Sequence, residues 1–486
     1  MQILFPATNP HFIGQFPGSQ AVGADEQPHL PKNSGFELEN GKLVMNEIGH
    51  NVNLARALTD AEERYTRQHP LSLAYMERAS EFMPGGNTRS VLFFKPFPFV
   101  VKTSAGCRVQ DLDGNDYVDF LCEYSAGLFG HSEPTIKAAI QHAVETGWVH
   151  GGHIENEARL AASLCSRFPS VERIRFTNSG TEANLMALGT ARAFTKRSRI
   201  LAFHGGYHGG VLHYKSGDSA QNAPFPLVLC TYNNIEQTVA AIDRDARDLA
   251  AVIVEPLQGS AGCIPASREF LSAIRCVCER HGIILIFDEV MCSRLAPSGL
   301  QGVLGITPDL TTLGKYLGGG ASFGAFGGRE DIMALYDPNR PNALAHAGTF
   351  NNNAISMAAA VAAATVLTSD RLVQLNAMGD ALRGKLNGIA QARALPIQFT
   401  GIGSMMNIHF REGEVRTIAD TETEDPNAKP FFHLEMLERG QYLTRKGMLN
   451  LSLPMLACEL EAVASAFEDF LELNGGLIAA SRSPLT

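Results

Sequence analysis

The segment Ile283-Ile-Leu-Ile-Phe-Asp-Glu-Val290 is a short apolar run that ends in two acidic residues. Such a run is typical of a buried strand in a parallel sheet, and it predicts that Asp288 lies at the carboxyl end of that strand. A second segment, Asp309-Leu-Thr-Thr-Leu-Gly-Lys-Tyr-Leu-Gly-Gly-Gly320, places Lys315 after another apolar run and before three glycines. Because ligands bind at the carboxyl ends of parallel strands, we expect this lysine and this carboxylate to share one site.

A lysine near a buried carboxylate is the pair that pyridoxal 5′-phosphate requires. The amine forms an imine with the cofactor aldehyde, and the carboxylate keeps the pyridine nitrogen protonated so that the ring can accept electrons. Each residue alone is weak evidence, because most lysines are surface charges and an Asp-Glu pair often precedes a helix. The hypothesis therefore depends on phosphate and ring sites elsewhere in the chain.

A phosphate site is predicted where a strand runs into a helix at residues 178–181. The segment Arg173-Ile-Arg-Phe-Thr-Asn-Ser-Gly-Thr-Glu-Ala-Asn184 reads as a strand, a polar turn and a helix from Glu182. The N–H groups and hydroxyls of Ser179, Gly180 and Thr181 would stabilise a phosphate dianion at the helix N-terminus. An ordinary helix cap with nothing bound is the alternative.

A ring site is predicted in Arg199-Ile-Leu-Ala-Phe-His-Gly-Gly-Tyr-His-Gly-Gly210, where a strand runs into glycines. Glycines allow close approach, so the ring of Tyr207 could lie flat on a cofactor. A metal site at His204 and His208 is disfavoured, because the glycines oppose a helix and no acidic or cysteine partner has ligand spacing. We expect no metal.

These segments together resemble the class III aminotransferases, which are fold type I pyridoxal-phosphate enzymes. The motifs follow one another in family order over roughly three hundred residues. They are Asn178-Ser-Gly-Thr-Glu-Ala-Asn184, Gly205-Gly-Tyr-His-Gly209, Glu255-Pro256, Asp288-Glu-Val-Met291, Thr311-Thr-Leu-Gly-Lys-Tyr-Leu-Gly-Gly-Gly320, Ser322-Phe-Gly-Ala-Phe-Gly-Gly-Arg329 and Gly348-Thr-Phe-Asn-Asn-Asn353. Within the class, the chain resembles the glutamate-1-semialdehyde aminomutases. It resembles the β-amino-acid (β-phenylalanine) aminotransferases more closely, through Met83-Pro-Gly-Gly-Asn-Thr-Arg-Ser-Val-Leu-Phe-Phe94 and Phe399-Thr-Gly-Ile-Gly-Ser-Met405.

The resemblance implies a role for each matching residue. Lys315 would be the Schiff-base lysine (the internal aldimine) and the catalytic acid/base, with Asp288 paired to the pyridinium nitrogen. The implied cofactor contacts are Val290 and Tyr207 on the two ring faces, Gly180, Thr181 and Ser179 at the phosphate, His208 beside the stacking tyrosine, and Thr349 reaching the phosphate of a neighbouring subunit. The last contact implies a homodimer with shared active sites.

Substrate recognition is expected to rest on cations, because an arginine fork matches a carboxylate. By the resemblance, Arg89 would bind the carboxylate of a β-amino acid; a surface or interface charge is the alternative. The branch has a second arginine before a glycine, but this chain has Arg445-Lys446-Gly447. Three alternatives are open. Lys446 could hold a second substrate carboxylate less tightly than an arginine would, Arg445 could turn into the site and bind that carboxylate, or the substrate could have no second carboxylate. Nearby phenylalanines could wall an apolar pocket or belong to the core: Phe93, Phe94, Phe97 and Phe99.

Composition agrees with a large intracellular enzyme. The chain has 486 residues, 45% of them hydrophobic, and a net charge of −10, which argues against nucleic-acid or anionic-membrane partners. Nine cysteines without a CxxC pair suit a reducing compartment, so a cytoplasmic location is expected, and several read as core residues: Cys122, Cys165, Cys230 and Cys292. No run approaches the ~18 apolar residues of a membrane span, and the start of the chain reads poorly as a signal peptide.

The resemblance and the alternating apolar runs indicate an α/β fold. We expect a large domain with a mostly parallel sheet and an α+β small domain formed from both chain ends. The predicted divisions are an N-terminal extension (residues 1–52, draped over a partner or disordered), a first small-domain part (53–125), the large cofactor-binding domain (126–368) and a second small-domain part (369–486). The first small-domain part should contain a hairpin that turns at Asp113-Gly114.

The expected activity is transamination of a β-amino acid or related amine with a keto acid such as pyruvate or 2-oxoglutarate, by a ping-pong cycle. One alternative is an aminomutase of the glutamate-1-semialdehyde type. Another is an amine transaminase acting on amines without a carboxylate. A third is a cofactor-binding protein without turnover, which the complete set Lys315, Asp288, Tyr207 and Thr349 disfavours.

Overall fold

The structure is a computed structural model that describes residues 37–39, 42–44, 53–215 and 217–480. The chain divides into two units, Met1–Asn51 and Val52–Thr486. In the first unit, an antiparallel pair of strands is described, Glu37–Glu39 (β1) and Lys42–Val44 (β2). The remainder of the predicted N-terminal extension lies outside the described residues.

The second unit carries the other strands and all the described helices. Its strands are Val101–Ala105 (β3), Arg108–Asp111 (β4), Asp116–Asp119 (β5), Arg173–Thr177 (β6), Arg199–Phe203 (β7), Leu227–Cys230 (β8), Leu249–Val254 (β9), Leu257–Gln258 (β10), Ile264–Pro265 (β11), Ile284–Asp288 (β12), Leu310–Gly314 (β13), Gly324–Gly328 (β14), Gln398–Ile402 (β15), Met405–His409 (β16), Gln441–Tyr442 (β17) and Met448–Asn450 (β18). Its α-helices are Leu54–Gln68 (α1), Pro70–Ser80 (α2), Pro134–Thr146 (α3), Glu155–Arg167 (α4), Gly180–Thr195 (α5), Ile235–Asp245 (α6), Arg268–His281 (α7), Gly299–Leu304 (α8), Glu330–Met333 (α9), Ala354–Val366 (α10), Ser369–Ala392 (α11), Ala428–Glu438 (α12) and Ala457–Ala480 (α13).

A seven-stranded sheet forms the centre of the second unit, in the order β6-β14-β13-β12-β9-β7-β8. The strand pairs β12/β13, β12/β9, β9/β7 and β7/β8 are parallel. Strand β14 runs antiparallel to both of its neighbours, β13 and β6, so the other six strands share one direction. The prediction of a mostly parallel sheet is therefore confirmed.

Alternate side chains of each strand point to opposite sides of this sheet, and helices pack on both sides. In β7, Ile200 and Ala202 pack with the α5 side chains Ala187 and Ala191. Leu201 and Phe203 of the same strand pack instead with α6 and α7. The apolar runs in the sequence lack alternation for this reason: neither face of the sheet meets water.

Local signals in the sequence set where these helices begin and end. The α7 helix begins after Ser267, whose side chain accepts a hydrogen bond from the Phe270 N–H, and it ends at Gly282 in a left-handed conformation (φ 61°). The predicted helix at Glu182 begins two residues earlier, because Ser179 rather than a later residue caps α5.

Two smaller sheets come from the ends of the second unit. One has the order β17-β5-β4-β3, so a strand near residue 441 pairs with strands before residue 120. The other consists of β15, β16 and β18. The predicted contribution of both chain ends to the small domain is thereby confirmed, as is the hairpin at Asp113-Gly114, between β4 and β5.

The phenylalanines that follow Arg89 belong mainly to the core. Phe94, Phe97 and Phe99 are buried in the main hydrophobic cluster, whereas Phe93 is exposed. The suggestion that they wall a substrate pocket is wrong, because these three side chains pack against neighbouring core rings such as Tyr65 and Tyr117.

Among the described helices, none is by itself long and apolar enough to span a membrane; α10 and α11, bent by 77° at their junction, pass that test of length and composition only as a pair.

Candidate active site

The predicted site residues gather at one edge of the central sheet. Asp288 ends β12, Lys315 directly follows β13, and Glu255 directly follows β9. The turn that holds Tyr207 and His208 follows β7. Because these four strands share one direction, their carboxyl ends lie at the same edge, as the sequence predicts.

Asp288 is the centre of a buried hydrogen-bond network. Its Oδ2 atom accepts hydrogen bonds from His208 Nδ1 (2.7 Å) and Asn184 Nδ2 (2.8 Å), and its Oδ1 atom accepts one from the Val290 N–H (3.0 Å). Thr312 Oγ1 orients Asn184 by donating to its Oδ1 atom at 2.6 Å. A carboxylate can accept about four hydrogen bonds, so Asp288 keeps capacity for one further donor.

The charge on Asp288 is stabilised by its histidine neighbour. Burial favours a neutral imidazole, but the hydrogen bond and negative charge of Asp288, together with the charge of Glu255, raise the pKa of His208 above its ordinary value. Glu255 is also buried, and burial raises its pKa to about 7. The site therefore places a histidine with a raised pKa in hydrogen-bond contact with a buried carboxylate.

Lys315 is held in an unusual backbone conformation at the start of a short 3₁₀ helix, with φ 54°. Its Nζ atom donates to the Tyr124 carbonyl at 2.8 Å. Burial lowers the pKa of Lys315 to about 8, because the low-dielectric surroundings disfavour the ammonium form. An amine with this pKa is partly in its nucleophilic, neutral form near physiological pH.

The Tyr124 carbonyl belongs to a left-handed turn that consists of four consecutive non-glycine residues. The φ angles of Cys122, Glu123, Tyr124 and Ser125 are 46°, 48°, 52° and 76°. Left-handed conformations of such residues cost roughly 1–2 kcal/mol each, and strain of this kind concentrates at functional sites. Here the turn places a carbonyl against the lysine amine.

The predicted phosphate loop is the N-terminus of α5. Ser179 caps the helix by accepting from the Glu182 N–H at 3.2 Å. Gly180 and Thr181 lie in the first turn, so their N–H groups have no partner carbonyl within the helix. A Cβ atom at Gly180 would lie 2.8 Å from a Val290 methyl group, so only glycine fits beside that valine. The loop and Val290 are therefore in direct contact.

A cavity of about 300 Å³ opens in front of Lys315. Its walls include Tyr207 from the β7 turn, Met291 after β12, and Met448 from β18. Tyr207 is 40% exposed to it, and the Tyr207 N–H is fixed by Glu255 Oε2 at 3.0 Å. Residues 204–210 form turns, as the glycines predict.

Arg89 also lines this cavity, where it forms an ion pair with Glu123. Both side chains are about half exposed, so the pair contributes little to stability. An incoming carboxylate can therefore replace Glu123 at small energetic cost. The arginine predicted from the sequence thus shares a cavity with Lys315.

The structure distinguishes between the two candidates for a second substrate-binding cation, Arg445 and Lys446. Both side chains are exposed, but Lys446 lines the cavity and Arg445 does not. Thr349 is exposed and also lies outside the wall. Of the residues predicted from the sequence, Lys315, Tyr207, Arg89 and Lys446 therefore share the cavity.

Sequence reasoning missed several polar residues of this site. Asn184 and Glu255 fall in quoted motifs but had no assigned role, and Thr312 precedes Lys315 by three residues. Helical periodicity could have identified Asn184, because it lies one turn after Gly180 on the same helix. Lys215 and Asn407 also line the cavity, and no local pattern marks either residue.

Comparison with known proteins places the chain in a family. The aminotransferase class-III model matches residues 94–472. The chain is 46% identical to the β-phenylalanine transaminase of Variovorax paradoxus, over 87% of this chain and 98% of that protein. It is 35% identical to the glutamate-1-semialdehyde 2,1-aminomutase of Methanococcoides burtonii, over 76% of this chain and 90% of that protein.

Solved structures agree with these relationships. The Variovorax paradoxus β-phenylalanine aminotransferase superimposes with a TM-score of 0.86 and covers 87% of this chain and 99% of its own. An ω-transaminase from Sphaerobacter thermophilus gives a TM-score of 0.78 at 34% identity, over 82% of this chain and 97% of that one. The family match, the identity and the geometry lead to one conclusion: this chain belongs to the class III aminotransferases and is a pyridoxal-phosphate-dependent enzyme.

Proposed function

We propose that this enzyme transfers the amino group of a β-amino acid to a keto acid such as pyruvate or 2-oxoglutarate, in a ping-pong cycle. The observation that carries the proposal is the shared cavity of Lys315 and Arg89, an amine and a carboxylate-binding cation. The 46% identity to a protein named β-phenylalanine transaminase supports this donor class.

The polar groups fit pyridoxal phosphate. Asp288 is 4% exposed and can accept one more hydrogen bond, which suits a pyridinium N–H. The free N–H groups of Gly180 and Thr181 suit a phosphate, and Tyr207 and Val290 suit the two faces of a ring. When bound, pyridoxal phosphate withdraws electrons from the substrate carbon that carries the amine.

The residues of the chain then divide the work of proton transfer and positioning. With the cofactor bound, Lys315 Nζ would hold its aldehyde carbon and would carry a proton to and from the substrate carbon, a role that its lowered pKa suits. His208 and Asn184 hold the Asp288 carboxylate in place by donating hydrogen bonds to it. Arg89 orients the substrate by binding the substrate carboxylate, which takes the place of the Glu123 carboxylate in the ion pair.

We propose that the active form is a homodimer in which Thr349 reaches the phosphate of the other subunit. Three large apolar side chains near this residue are exposed in the single chain: Phe350 is 62%, Val149 is 81% and Trp148 is 49% exposed. The two segments adjoin, because Asn352 Nδ2 donates to the Gly152 carbonyl at 3.2 Å. Exposed apolar groups of this size suit a subunit interface.

We place the enzyme in the cytoplasm, since its nine cysteines are free thiols.

A transamination assay tests the activity. The purified enzyme is incubated with β-phenylalanine and 2-oxoglutarate or pyruvate, and glutamate or alanine is measured. A transferase yields a new α-amino acid. An aminomutase retains the amine on one carbon skeleton and yields none, and that result would contradict the proposal.

A further inference from the structure

Arg294 is a fully buried arginine that forms no ion pair within the described part of the chain. It lies in the 3₁₀ helix Cys292–Leu295, which follows Asp288 at the end of β12. Burial lowers the pKa of Arg294 to about 10, so the side chain remains cationic near neutral pH. Because burying a charge is costly, its hydrogen-bond acceptors must compensate for the lost contact with water.

Three oxygen atoms from separate segments accept hydrogen bonds from this guanidinium. Nε donates to Ser404 Oγ at 3.2 Å, and Nη2 donates to the Leu451 carbonyl. These two segments are joined, because the Leu451 N–H donates to the Ser404 carbonyl at 2.9 Å. Nη1 donates to the Ser125 carbonyl at 3.1 Å. Arg294 therefore ties Ser125 to a frame built from the turn after β15 and the residues after β18.

Ser125 is the last residue of the left-handed turn at residues 122–125. The start of this turn has its own anchor, because Asp119 Oδ1 accepts from the N–H groups of Leu121 and Cys122, both at 2.9 Å. Backbone conformations of this kind persist only where the surrounding contacts hold them. Asp119 thus holds one end of the turn, and the Arg294 guanidinium holds the other.

The two residues between these anchors are the ones that contact the active site. The Tyr124 carbonyl accepts from Lys315 Nζ at 2.8 Å, and Glu123 forms the ion pair with Arg89. A shift of the Ser125 carbonyl would move both contacts, because only one peptide unit separates it from the Tyr124 carbonyl. The Arg294 side chain is thus linked to the Lys315 amine through the main chain of the turn.

We propose that Arg294 is a positioning residue that fixes the end of the turn at residues 122–125, so that the Tyr124 carbonyl orients the Lys315 amine for reaction with the cofactor. This inference rests on the proposed role of Lys315. Arg294 acts through the turn rather than on the reacting atoms, because its guanidinium bonds to Ser125 and is absent from the cavity wall.

The groups that face Lys315 give the direction of the expected effect. Burial is the largest influence on the pKa of Lys315 and lowers it, to about 8 in balance with four charged side chains: Glu123, Asp288 and Glu255, which raise it, and Arg89, which lowers it. A carbonyl that accepts from an ammonium also favours the charged form. Releasing the turn would take its carboxylate and its carbonyl away from the amine, so the pKa of Lys315 should fall. The other titratable side chains that line the cavity are Tyr124, Tyr207, His213, Lys215 and Lys446.

Uptake of pyridoxal phosphate by the cofactor-free enzyme measures this pKa without turnover. The uptake rate of the wild-type enzyme should have its midpoint at about pH 8. Arg294→Lys keeps the charge but cannot bond to three acceptors, so the midpoint should fall by about one pH unit. Hydrogen exchange of the amides at residues 122–127 should become faster in the same variant, because the end of the turn is released.

Arg167→Lys is the matched control. Arg167 also donates to the 3₁₀ helix that contains Arg294, at the Ser293 carbonyl (3.1 Å), and to the hydroxyl of Tyr316 (2.8 Å), but in the described structure it forms no hydrogen bond to the turn. Its substitution should lower thermal stability and leave the uptake midpoint at about pH 8.

A milder variant carries the test if Arg294→Lys does not fold. Ser404→Ala removes only the acceptor of Nε and should lower the midpoint by roughly half a pH unit. An unchanged midpoint in the folded variant would overturn the positioning role and leave the proposed role of Lys315 intact. A wild-type uptake rate that does not change between about pH 7 and about pH 9 would contradict the role of Lys315 itself, and this inference with it.

Discussion

Two groups of polar residues in the active site are built on opposite principles. The buried network consists of Asn184, His208, Asp288 and Thr312. These side chains are linked by hydrogen bonds, and none is more than 4% exposed. The cationic group consists of Arg89, Lys215 and Lys446, which lie on loops and have one exposed partner, Glu123, among the described residues. Under the proposed function, the first group is pre-organised for the cofactor, whereas the second is available for an incoming substrate.

This difference suggests separate roles for the two groups under the proposed function: one in turnover and the other in substrate preference. A network that is satisfied by its own hydrogen bonds needs no reorganisation when charge develops. Cations without firm partners gain their stabilisation only when the substrate arrives, and so they can discriminate between substrates. Substitutions in the buried network should therefore reduce turnover for every substrate, and substitutions in the cationic group should change substrate preference.

The largest effect is expected for Lys315→Ala, which removes the amine that serves both groups. Turnover should fall by at least about a thousandfold, because general acid–base catalysis and the covalent link are lost together. Visible absorbance of the bound cofactor and steady-state rates measure this. Lys137→Ala is the matched control, and a Lys315→Ala enzyme that keeps both its colour and its turnover would exclude this lysine.

The next largest effect is expected for Asp288→Asn, which should reduce turnover about a hundredfold for all donors alike. The neutral amide cannot supply the negative charge that a pyridinium N–H requires. Glu289→Gln is a sharp control, because the neighbouring carboxylate is equally buried but accepts from the N–H groups of Leu300 and Gln301. Equal losses of turnover in both variants would show that Asp288 acts only through folding.

A selective effect is expected for Arg89→Ala. The KM for β-amino acids should rise roughly 10- to 100-fold, since a charge-assisted hydrogen bond is lost, while the KM for amines without a carboxylate should change little. Steady-state kinetics with matched pairs of donors measure this. If both KM values rise together, Arg89 does not belong to the substrate-binding group.

A smaller effect concerns the pH dependence of cofactor uptake. The pKa of Lys315 in the cofactor-free protein is lowered to about 8 by burial, so the fraction of neutral amine grows as the pH rises through that value. The rate at which cofactor-free enzyme takes up pyridoxal phosphate should therefore rise about tenfold between about pH 7 and about pH 9 and then level. A rate that falls with pH over this range would contradict the assignment.

The smallest effect concerns the left-handed turn that contacts Lys315 through Tyr124 and Arg89 through Glu123. Ser125→Gly should stabilise the protein by about 1 kcal/mol, because glycine tolerates the φ of 76° and the buried Ser125 hydroxyl has no hydrogen-bond partner among the described residues. Thermal unfolding measures this. Ser170→Gly is the control and should destabilise, since that serine bonds to Thr311 at 2.7 Å.

Much of the fold could be read from the sequence because its cues are local. Continuous apolar runs identify β7, β9 and β12 as buried strands, and small polar residues identify the start of α5. Asp288, Lys315 and the Ser179 loop were predicted in the same way, because each lies at or just after the end of a strand. Strand β14 is different: its Gly-Ala-Phe-Gly-Gly sequence carries little strand propensity, and only its neighbours β6 and β13 define it.

The sequence by itself determined the chemistry of this protein: a lysine, a carboxylate and a phosphate loop at strand ends, each with a short-range signature. Only the tertiary structure decided which cations line the cavity in front of Lys315. Arg89, Lys215 and Lys446 are far apart in the chain, and Arg445 and Lys446 are adjacent residues with opposite exposure to the cavity. The physical reason is that a loop side chain takes its direction from distant contacts, such as those of Gly206 with Tyr214, which leave no local pattern in the sequence.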